Sequence, residues 1–228
     1  MHALDNVIWR ALSTRQTEFA EVVGQARRFV PEVTSLTAFA EPNVEGYQSL
    51  AGLVGSGGTA AVFFDHPFSG LEGWSVVGGA PLLEMVSENG GAPASQARSL
   101  PQITELGPQD SPEMVRLAAL TKPGPFGSRT HELGTYLGIW SDGQLVAMAG
   151  ERLKVPGYTE VSAVCTHPQH TGKGYAQVLM TELMRRIRSR GETPFLHVRE
   201  DNVRAVQIYE RLGFRVRVLL HYVLLRRD

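Results

Sequence analysis

The hydrophobic pattern switches between short apolar runs and helical spacing, which predicts an α/β chain. Near the N-terminus, a Ser13–Gln16 capping box precedes apolar residues that recur at helical spacing from Phe19 to Val30, and this predicts a helix. Runs bounded by Gly or Pro then predict strands at 36–40, 60–64 and 74–77. A small, polar stretch rich in Gly and Pro at 87–95 predicts a domain boundary.

From residue 102 the alternation of strands and helices becomes more regular. In chain order we predict a strand at 103–106, helices at 113–120 and 129–133, strands at 138–140, 144–152 and 159–166, a long amphipathic helix at 171–190, a strand at 195–198, a helix at 202–212, and two closing strands within 214–225. We therefore expect an N-terminal α/β segment at 1–95 and a second α/β domain at 101–228.

Composition excludes several classes of protein. The 22 Lys and Arg residues nearly balance the 23 Asp and Glu residues, so no strongly basic face for nucleic acid is expected. No apolar run reaches the roughly 20 residues that cross a bilayer, and the N-terminus lacks a secretory pattern, so we expect a cytoplasmic protein without a membrane partner. The single cysteine, Cys165, excludes an internal disulfide and a cysteine-based zinc site.

The segment with the clearest chemistry joins the predicted strand at 159–166 to the long helix. Its loop carries Gly172 and Gly174, which let the backbone curl around a ligand without a Cβ in the way. Backbone N–H groups at the start of a helix lack partners and lie at the positive end of the dipole. Lys173 adds positive charge, so the segment predicts a phosphate site.

The residue types in this loop limit the class of phosphate-containing ligand that it is expected to bind. The dinucleotide pattern G-x-G-x-x-G is absent, because residues 175–177 are Tyr-Ala-Gln. A Walker A loop would need glycine at His167 and Ser or Thr at Gly174. The pattern that remains is Gln169-x-x-Gly172-x-Gly174. Its alternative reading is a glycine-rich connection that binds no ligand.

A second motif, N-x-x-A-x-x-x-Y-x-x-x-G-F, runs from Asn202 to Phe214. The two motifs, together with the element order after residue 102, resemble the GNAT superfamily of acetyl-CoA-dependent N-acetyltransferases. The resemblance implies a GNAT fold, in which a mixed central sheet is splayed at a bulge and flanked by helices. The smaller segment at 1–95 resembles a degenerate second GNAT-like half on its element order alone.

The resemblance implies acetyl-CoA as co-substrate and no metal. The motif strand would bulge and offer free backbone groups to the pantetheine arm, while amides from His170 to Ala176 would hold the pyrophosphate. Asn202 would bond the pantetheine, or act as an ordinary helix cap. The implied coenzyme-binding residues are Val164, Cys165, Thr166, Gln169, His170, Thr171, Gly172, Lys173, Gly174, Tyr175, Ala176, Asn202 and Tyr209.

Two residues are implied as catalytic. Tyr209 would donate a proton to the departing sulfur, the alternative being a packing role in the core. Glu160 would be the general base, on the strand where histone-type GNAT enzymes place a glutamate, the alternative being an ion-paired strand carboxylate. The backbone N–H of Cys165 would bind the oxyanion.

The function implied is direct transfer of an acetyl group to a primary amine in a ternary complex. The alternative is a non-catalytic acyl-CoA-binding sensor or scaffold. We reject an acyl-cysteine mechanism, since no histidine is placed to activate Cys165, and a metal site at His167 and His170.

The acceptor, a small molecule or a protein, is not encoded by a readable motif, and assembly as a homodimer is left open. Weak candidates for acceptor contacts are Arg129, His131, Glu132, His221 and Tyr222, and a solvated helix face is the alternative for the first three.

Overall fold

The computed structural model describes residues 2–88 and 101–228. The helices are α1 (Val7–Ser13), α2 (Val44–Val54), α3 (Ser111–Thr121), α4 (Tyr175–Ser189) and α5 (Val203–Arg211). The strands are β1 (Ala20–Val23), β2 (Ala26–Phe29), β3 (Thr37–Phe39), β4 (Thr59–Phe64), β5 (Trp74–Val86), β6 (Thr104–Leu106), β7 (Tyr136–Ser141), β8 (Gln144–Val155), β9 (Tyr158–Thr166), β10 (Thr193–Arg199) and β11 (Arg215–Arg227).

Eight strands form one mixed sheet in the order β4-β11-β5-β10-β9-β8-β7-β6, and β1, β2 and β3 form a smaller antiparallel sheet. In the large sheet only β9 and β10 run parallel. This mixed sheet with flanking helices confirms the fold class that the motifs predicted. No described helix has both the length and the apolar character needed to cross a bilayer.

Helices cover both faces of the large sheet. On the back face, Leu179, Leu183 and Ile187 of α4 pack on alternate residues of the central strands, and α5 joins this core. On the front face, α1 packs over the ends of β8 and β10, while α3 packs over β7, β8 and the end of β9. Period-two alternation along the strands divides the apolar side chains between these two cores.

The sheet is splayed between its two parallel strands. β10 pairs with β9 only where Thr193–Phe195 faces Tyr158–Glu160, so the two strands diverge beyond Glu160. The register of β9 against β8 shifts between Ser162 and Cys165, and Ala163 has a φ of 52°. A residue left unpaired in this way is a β-bulge, which bends its strand. The expected bulge therefore lies at Ala163.

The N-terminal segment supplies strands to the middle and the edge of the large sheet. β5 lies between β10 and β11, with Val86 opposite both Phe195 and Arg215, and β4 pairs with the outer side of β11. The predicted boundary at 87–95 falls mostly outside the described residues. The division into 1–95 and 101–228 stays a prediction, but the strands on either side share one sheet.

Two predicted elements are wrong. The helix expected over residues 19–30 is the hairpin of β1 and β2, which turns at Gly24 with a φ of 50° and leaves Val22 53% exposed. The two closing strands are one strand, β11, of 13 residues, whose register against β5 shifts between Val216 and Val218 and again between Leu224 and Leu225, but not near residue 220. Both differences depend on packing against the rest of the molecule. The local sequence pattern contains no information on that packing.

Candidate active site

The loop between β9 and α4 has an open, glycine-dependent backbone. Gly172 and Gly174 have φ values of 80° and 79°, in the left-handed region that glycine occupies without strain. A Cβ added at either position would meet no atom within 4 Å, so neither glycine is required by close packing of the protein itself. The space beside these glycines is available to a ligand.

The amides of this loop are free. No described group accepts a hydrogen bond from the backbone N–H groups of residues 171–177, and α4 begins without a side-chain cap. Unpaired N–H groups at a helix N-terminus bind anions, because they point at the ligand and the helix dipole favours negative charge. The loop is exposed from Thr171 to Gly174. Its geometry fits a diphosphate.

Lys173 places a cation at the rim of this loop. Its Nζ lies 3.3 Å from Nδ1 of His170 and 5.9 Å from the ring centre of Tyr175. The ammonium group therefore lies beside the free amides and adds to their positive potential.

The splay leaves one side of β9 without a partner after Glu160. On its other side β9 remains paired with β8, and the N–H of His167 donates to the carbonyl of Val146 at 2.7 Å. Hydrogen-bonded pairs alternate in an antiparallel ladder, so Cys165, two residues earlier, also directs its N–H toward β8. The N–H groups of Val164 and Thr166 are then directed into the cleft. The N–H of Cys165, the predicted oxyanion donor, therefore faces β8 and not the cleft.

The side chain of Cys165 does not suit a nucleophile. It is buried on the front face among residues of α3. Burial raises the pKa of its thiol to about 11, so the thiol stays protonated at neutral pH.

Tyr209 lies on α5 and packs against the same core cluster as Val164 of β9. Its ring contacts Phe214 edge-on at 6.2 Å between centres. Burial, with a smaller contribution from Cys165, raises the pKa of the phenol to about 12. The hydroxyl therefore keeps its proton at neutral pH, as a proton donor must. At the start of α5, Oδ1 of Asn202 accepts from the N–H of Ala205 at 3.3 Å, so this residue is a helix cap, and its contact with pantetheine stays a prediction.

Glu160 lies in an environment that contradicts its assignment as a general base. Its carboxylate is fully buried and accepts hydrogen bonds from Arg152 at 2.8 and 2.6 Å, from the N–H of Leu153 at 3.2 Å, and contacts Nδ1 of His197 at 2.7 Å. Burial alone would raise the pKa of Glu160, but the charge and hydrogen bonds of Arg152 and His197 outweigh it and lower the pKa to about 2. Such a carboxylate is a weak base, so the ion-paired alternative holds.

The sequence-based search missed the partners of Glu160, which are Arg152 on β8 and His197 on β10. A signal was present, because His197 stands between apolar residues of β10 and Glu84 between apolar residues of β5, while Arg152 follows an apolar run in β8. Charged residues inside apolar strands are buried only when they are paired. This sequence pattern indicates that each buried charged residue has a partner, but it does not identify that partner.

The weak acceptor candidates are spread over the surface and a sheet edge. Arg129 and Glu132 form a bidentate pair at 2.8 and 2.7 Å on an exposed turn, and Nδ1 of His131 lies 3.1 Å from the carbonyl of Ser128. Tyr222 packs edge-on against Phe63, 6.2 Å between ring centres. Within residues 2–88 and 101–228, no group of His, Cys, Asp and Glu side chains has the arrangement of a metal site.

Comparisons with known proteins agree with this architecture. A family model described as FR47-like protein matches residues 136–223. A structure from Novosphingobium aromaticivorans, described as a GNAT-family acetyltransferase, is 36% identical over 100% of both chains, with a TM-score of 0.90. A search of curated proteins found no match.

Two more distant structures share the fold. A GCN5-related N-acetyltransferase from Kribbella flavida is 18% identical over 98% of this chain and 96% of its own, with a TM-score of 0.64. A GCN5-related N-acetyltransferase-like protein from Streptococcus suis is 13% identical over 98% and 93%, with a TM-score of 0.56.

The fold and these likenesses define an acyltransferase enzyme. The chain belongs to the GNAT family of acetyltransferases, for which acetyl-CoA is the general co-substrate. This confirms the resemblance that the two sequence motifs carried.

Proposed function

We propose that this enzyme transfers the acetyl group of acetyl-CoA directly to a primary amine, on a small molecule or a protein, in a ternary complex. The observation that carries the proposal is the run of free amides at residues 171–177, which follows the part of β9 that has separated from β10. An anion site in the loop and a proton donor at Tyr209 would match a substrate that carries a diphosphate at one end and a thioester at the other.

The residues of the loop and the cleft would bind the coenzyme along its length. Amides from Thr171 to Ala176 and the Lys173 ammonium would hold the pyrophosphate. The N–H of His170, which the resemblance included, donates to the carbonyl of His167 at 2.8 Å and is not free. The free edge of β9 from Val164 to Thr166 would pair with the pantetheine arm as an added strand. Asn202 would contact the same arm from the start of α5. Binding at these points places the thioester between β9 and Tyr209.

The chemistry then needs two groups from the chain. As the amine nitrogen forms a bond to the carbonyl carbon, the Val164 N–H donates to the oxygen that gains negative charge. As the carbon–sulfur bond breaks, the electron pair leaves with the sulfur, which takes the proton of the Tyr209 hydroxyl. The amine loses its own proton to water in the cleft, since Glu160 is not available. Orientation of the two substrates contributes roughly 7–11 kcal/mol in well-aligned reactions.

The test of this proposal is Tyr209→Phe. We expect kcat to fall about 100-fold, because a positioned proton donor contributes on that order, with a change in KM for acetyl-CoA below about threefold. Release of free thiol from acetyl-CoA is measured over a panel of amines. Tyr47→Phe is the matched control, because Tyr47 is a half-buried tyrosine of the N-terminal segment. This variant should retain wild-type kcat.

An unchanged kcat in Tyr209→Phe would refute the role of the tyrosine. Tight binding of coenzyme by the wild type without turnover on any amine would support the sensor alternative and refute the enzyme mechanism.

A further inference from the structure

His197 connects the two arms of the splayed sheet at the point where their backbones separate. The last backbone pair between the arms is Phe195 with Glu160, and His197 is the next residue of β10 on the same face. Its side chain is 2% exposed, and its Nδ1 lies 2.7 Å from Oε1 of Glu160 on β9. A side-chain contact therefore continues the link where the backbone pairing has ended.

A second carboxylate lies on the other side of the imidazole. Nε2 of His197 is 3.4 Å from Oε2 of Glu84 on β5, which is fully buried. Glu84 is also in close contact with Nε of Arg217 on β11, and Nη2 of Arg217 lies 2.9 Å from Oδ1 of Asp5 near the N-terminus. Beyond Glu160, the same row continues to Arg152 on β8.

The imidazole lies between two buried carboxylates, and Asp5 forms the solvent-facing end of the row. The row contains two arginines that are always cationic, three carboxylates and the histidine, of which Asp5 is 40% and Arg217 24% exposed; the members are Arg152, Arg217, Glu160, Glu84, Asp5 and His197. Only the imidazolium carries a proton on each nitrogen and can donate to both flanking carboxylates. The ring also packs on Phe63 at 4.9 Å and Phe195 at 5.8 Å, which exclude water.

The physical effects on the histidine act in opposite directions. Burial by itself would lower the pKa of His197, but the hydrogen bond to Glu160 and the charges of Glu160 and Glu84 outweigh it and raise the pKa above its ordinary value. The protonated form is therefore favoured relative to a free imidazole, and it is lost as the pH rises through the raised pKa.

We propose that protonated His197 is a positioning residue, which fixes the separation of β9 and β10 at the vertex of the coenzyme cleft by joining Glu160 to Glu84. The proposal rests on the function proposed above, because that function places the thioester between these arms. The free amides of residues 171–177 lie at the far end of β9. Loss of the imidazolium displaces the reacting groups and leaves the pyrophosphate site in place.

The kinetic test uses His197→Gln, Glu84→Gln and the double variant. We expect His197→Gln to lower kcat by about 10-fold to 100-fold, as a misplacement near 1 Å does, while the Kd for coenzyme A changes less than about threefold. His197 and Glu84 are in contact, so if they act as one link the double variant should lose little more kcat than His197→Gln alone. Its kcat should exceed the product of the two single losses by about threefold or more, a coupling that independent structural losses would not produce. His66→Gln, at an exposed pair with Asp65, is the control for the substitution itself.

A second measurement needs no variant and so does not depend on folding. Nitrogen-15 NMR of the wild type at pH 7.5 should show both ring nitrogens of His197 protonated; a neutral ring would overturn the proposal. Wild-type kcat in His197→Gln, or a double variant no better than the product of the single losses, would also overturn it. Failure of the wild type to bind coenzyme A would refute the proposed function, whereas normal binding and turnover in both wild type and His197→Gln would refute only the role of His197.

Discussion

Glu160 and Arg152 show how strongly the surroundings of a residue set its chemistry. The pair is buried on the front of the sheet, and the bidentate hydrogen bonds hold the carboxylate ionised. The sequence locates Glu160 correctly on the motif strand but contains no information on depth or on partners from β8 and β10. Because burial and neighbouring charge decide a pKa, a base and an ion-pair partner look alike in sequence. The helix that carries Tyr209 was easier to predict, since its motif also fixes the N-cap at Asn202, while the role of the tyrosine stays a proposal.

Replacing Glu160 by Gln should destabilise the protein without the signature of a lost base. Arg152 would remain buried without its counter-ion, which costs about 3–5 kcal/mol in comparable sites. Urea unfolding at pH 7 measures the difference in free energy. Glu132→Gln is the matched control, since it breaks a bidentate pair with Arg129 that is exposed and contributes at most about 1 kcal/mol.

The unfolding free energy of Glu160→Gln should also fall less steeply than that of the wild type as the pH is lowered. The pKa of Glu160 is about 2 in the folded protein and 4.5 ordinarily, so its stabilisation is complete above pH 4.5 and disappears as the pH falls from there toward 2. The difference in unfolding free energy between wild type and Glu160→Gln should shrink over that range. Equal stability at pH 7 together with a large loss of kcat would restore the base assignment.

At the scale of elements, the sequence predicted best where local chemistry decides the structure. The glycine loop before α4 and the cap at Asn202 were both expected, because each depends on residues next to each other in the chain. The helix expected over residues 19–30 failed, since a hairpin turning at Gly24 pairs with β3 and buries Ala26 and Phe29, although it leaves Val22 exposed. The length of β5 was also missed, because Gly78 and Gly79 interrupt its apolar pattern.

Gly172→Ala should weaken coenzyme binding while leaving the fold intact. A Cβ there meets no protein atom, so the only structural cost is the left-handed φ of 80°, on the order of 1–2 kcal/mol. In the proposed complex the same Cβ would enter the space of the pyrophosphate. We expect the Kd for coenzyme A to rise about 10-fold, measured by titration calorimetry.

Gly157 offers a matched control for this substitution. It has the same φ of 80° and the same open surroundings, but lies in the turn between β8 and β9. Gly157→Ala should cost similar stability and leave the Kd unchanged. If the two variants bind coenzyme A equally well, the loop is not the pyrophosphate site.

At the scale of the whole molecule, the decisive contacts join residues far apart in the chain. The sequence suggested an N-terminal segment and a second domain because a polar, Gly- and Pro-rich stretch separates them. It could not show that β5 pairs with both β10 and β11, since strand order depends on pairing between distant segments. The alternation of apolar and polar residues within each strand could be predicted from the sequence, but the neighbours of each strand in the sheet could not.

Residues 101–228 expressed alone should fail to fold. Without the N-terminal segment, β11 loses β4 and β5, β10 loses its antiparallel neighbour, and the buried side chains of Val223 and Leu225 are exposed. Urea titration followed by circular dichroism should show no cooperative transition for the fragment and a clear one for the full chain. A cooperative transition in the fragment would establish it as an autonomous domain.

The position of β5 also bears on the order of events during synthesis. β10 and β11 lie roughly a hundred residues downstream of β5, so at about 5–20 residues per second the ribosome delivers them several seconds later. Over that interval the strand exposes unpaired backbone groups on both edges. Gly78, Gly79 and Pro81 pair poorly with other strands, so they lower the risk that a neighbouring nascent chain captures β5 before its own partners are made.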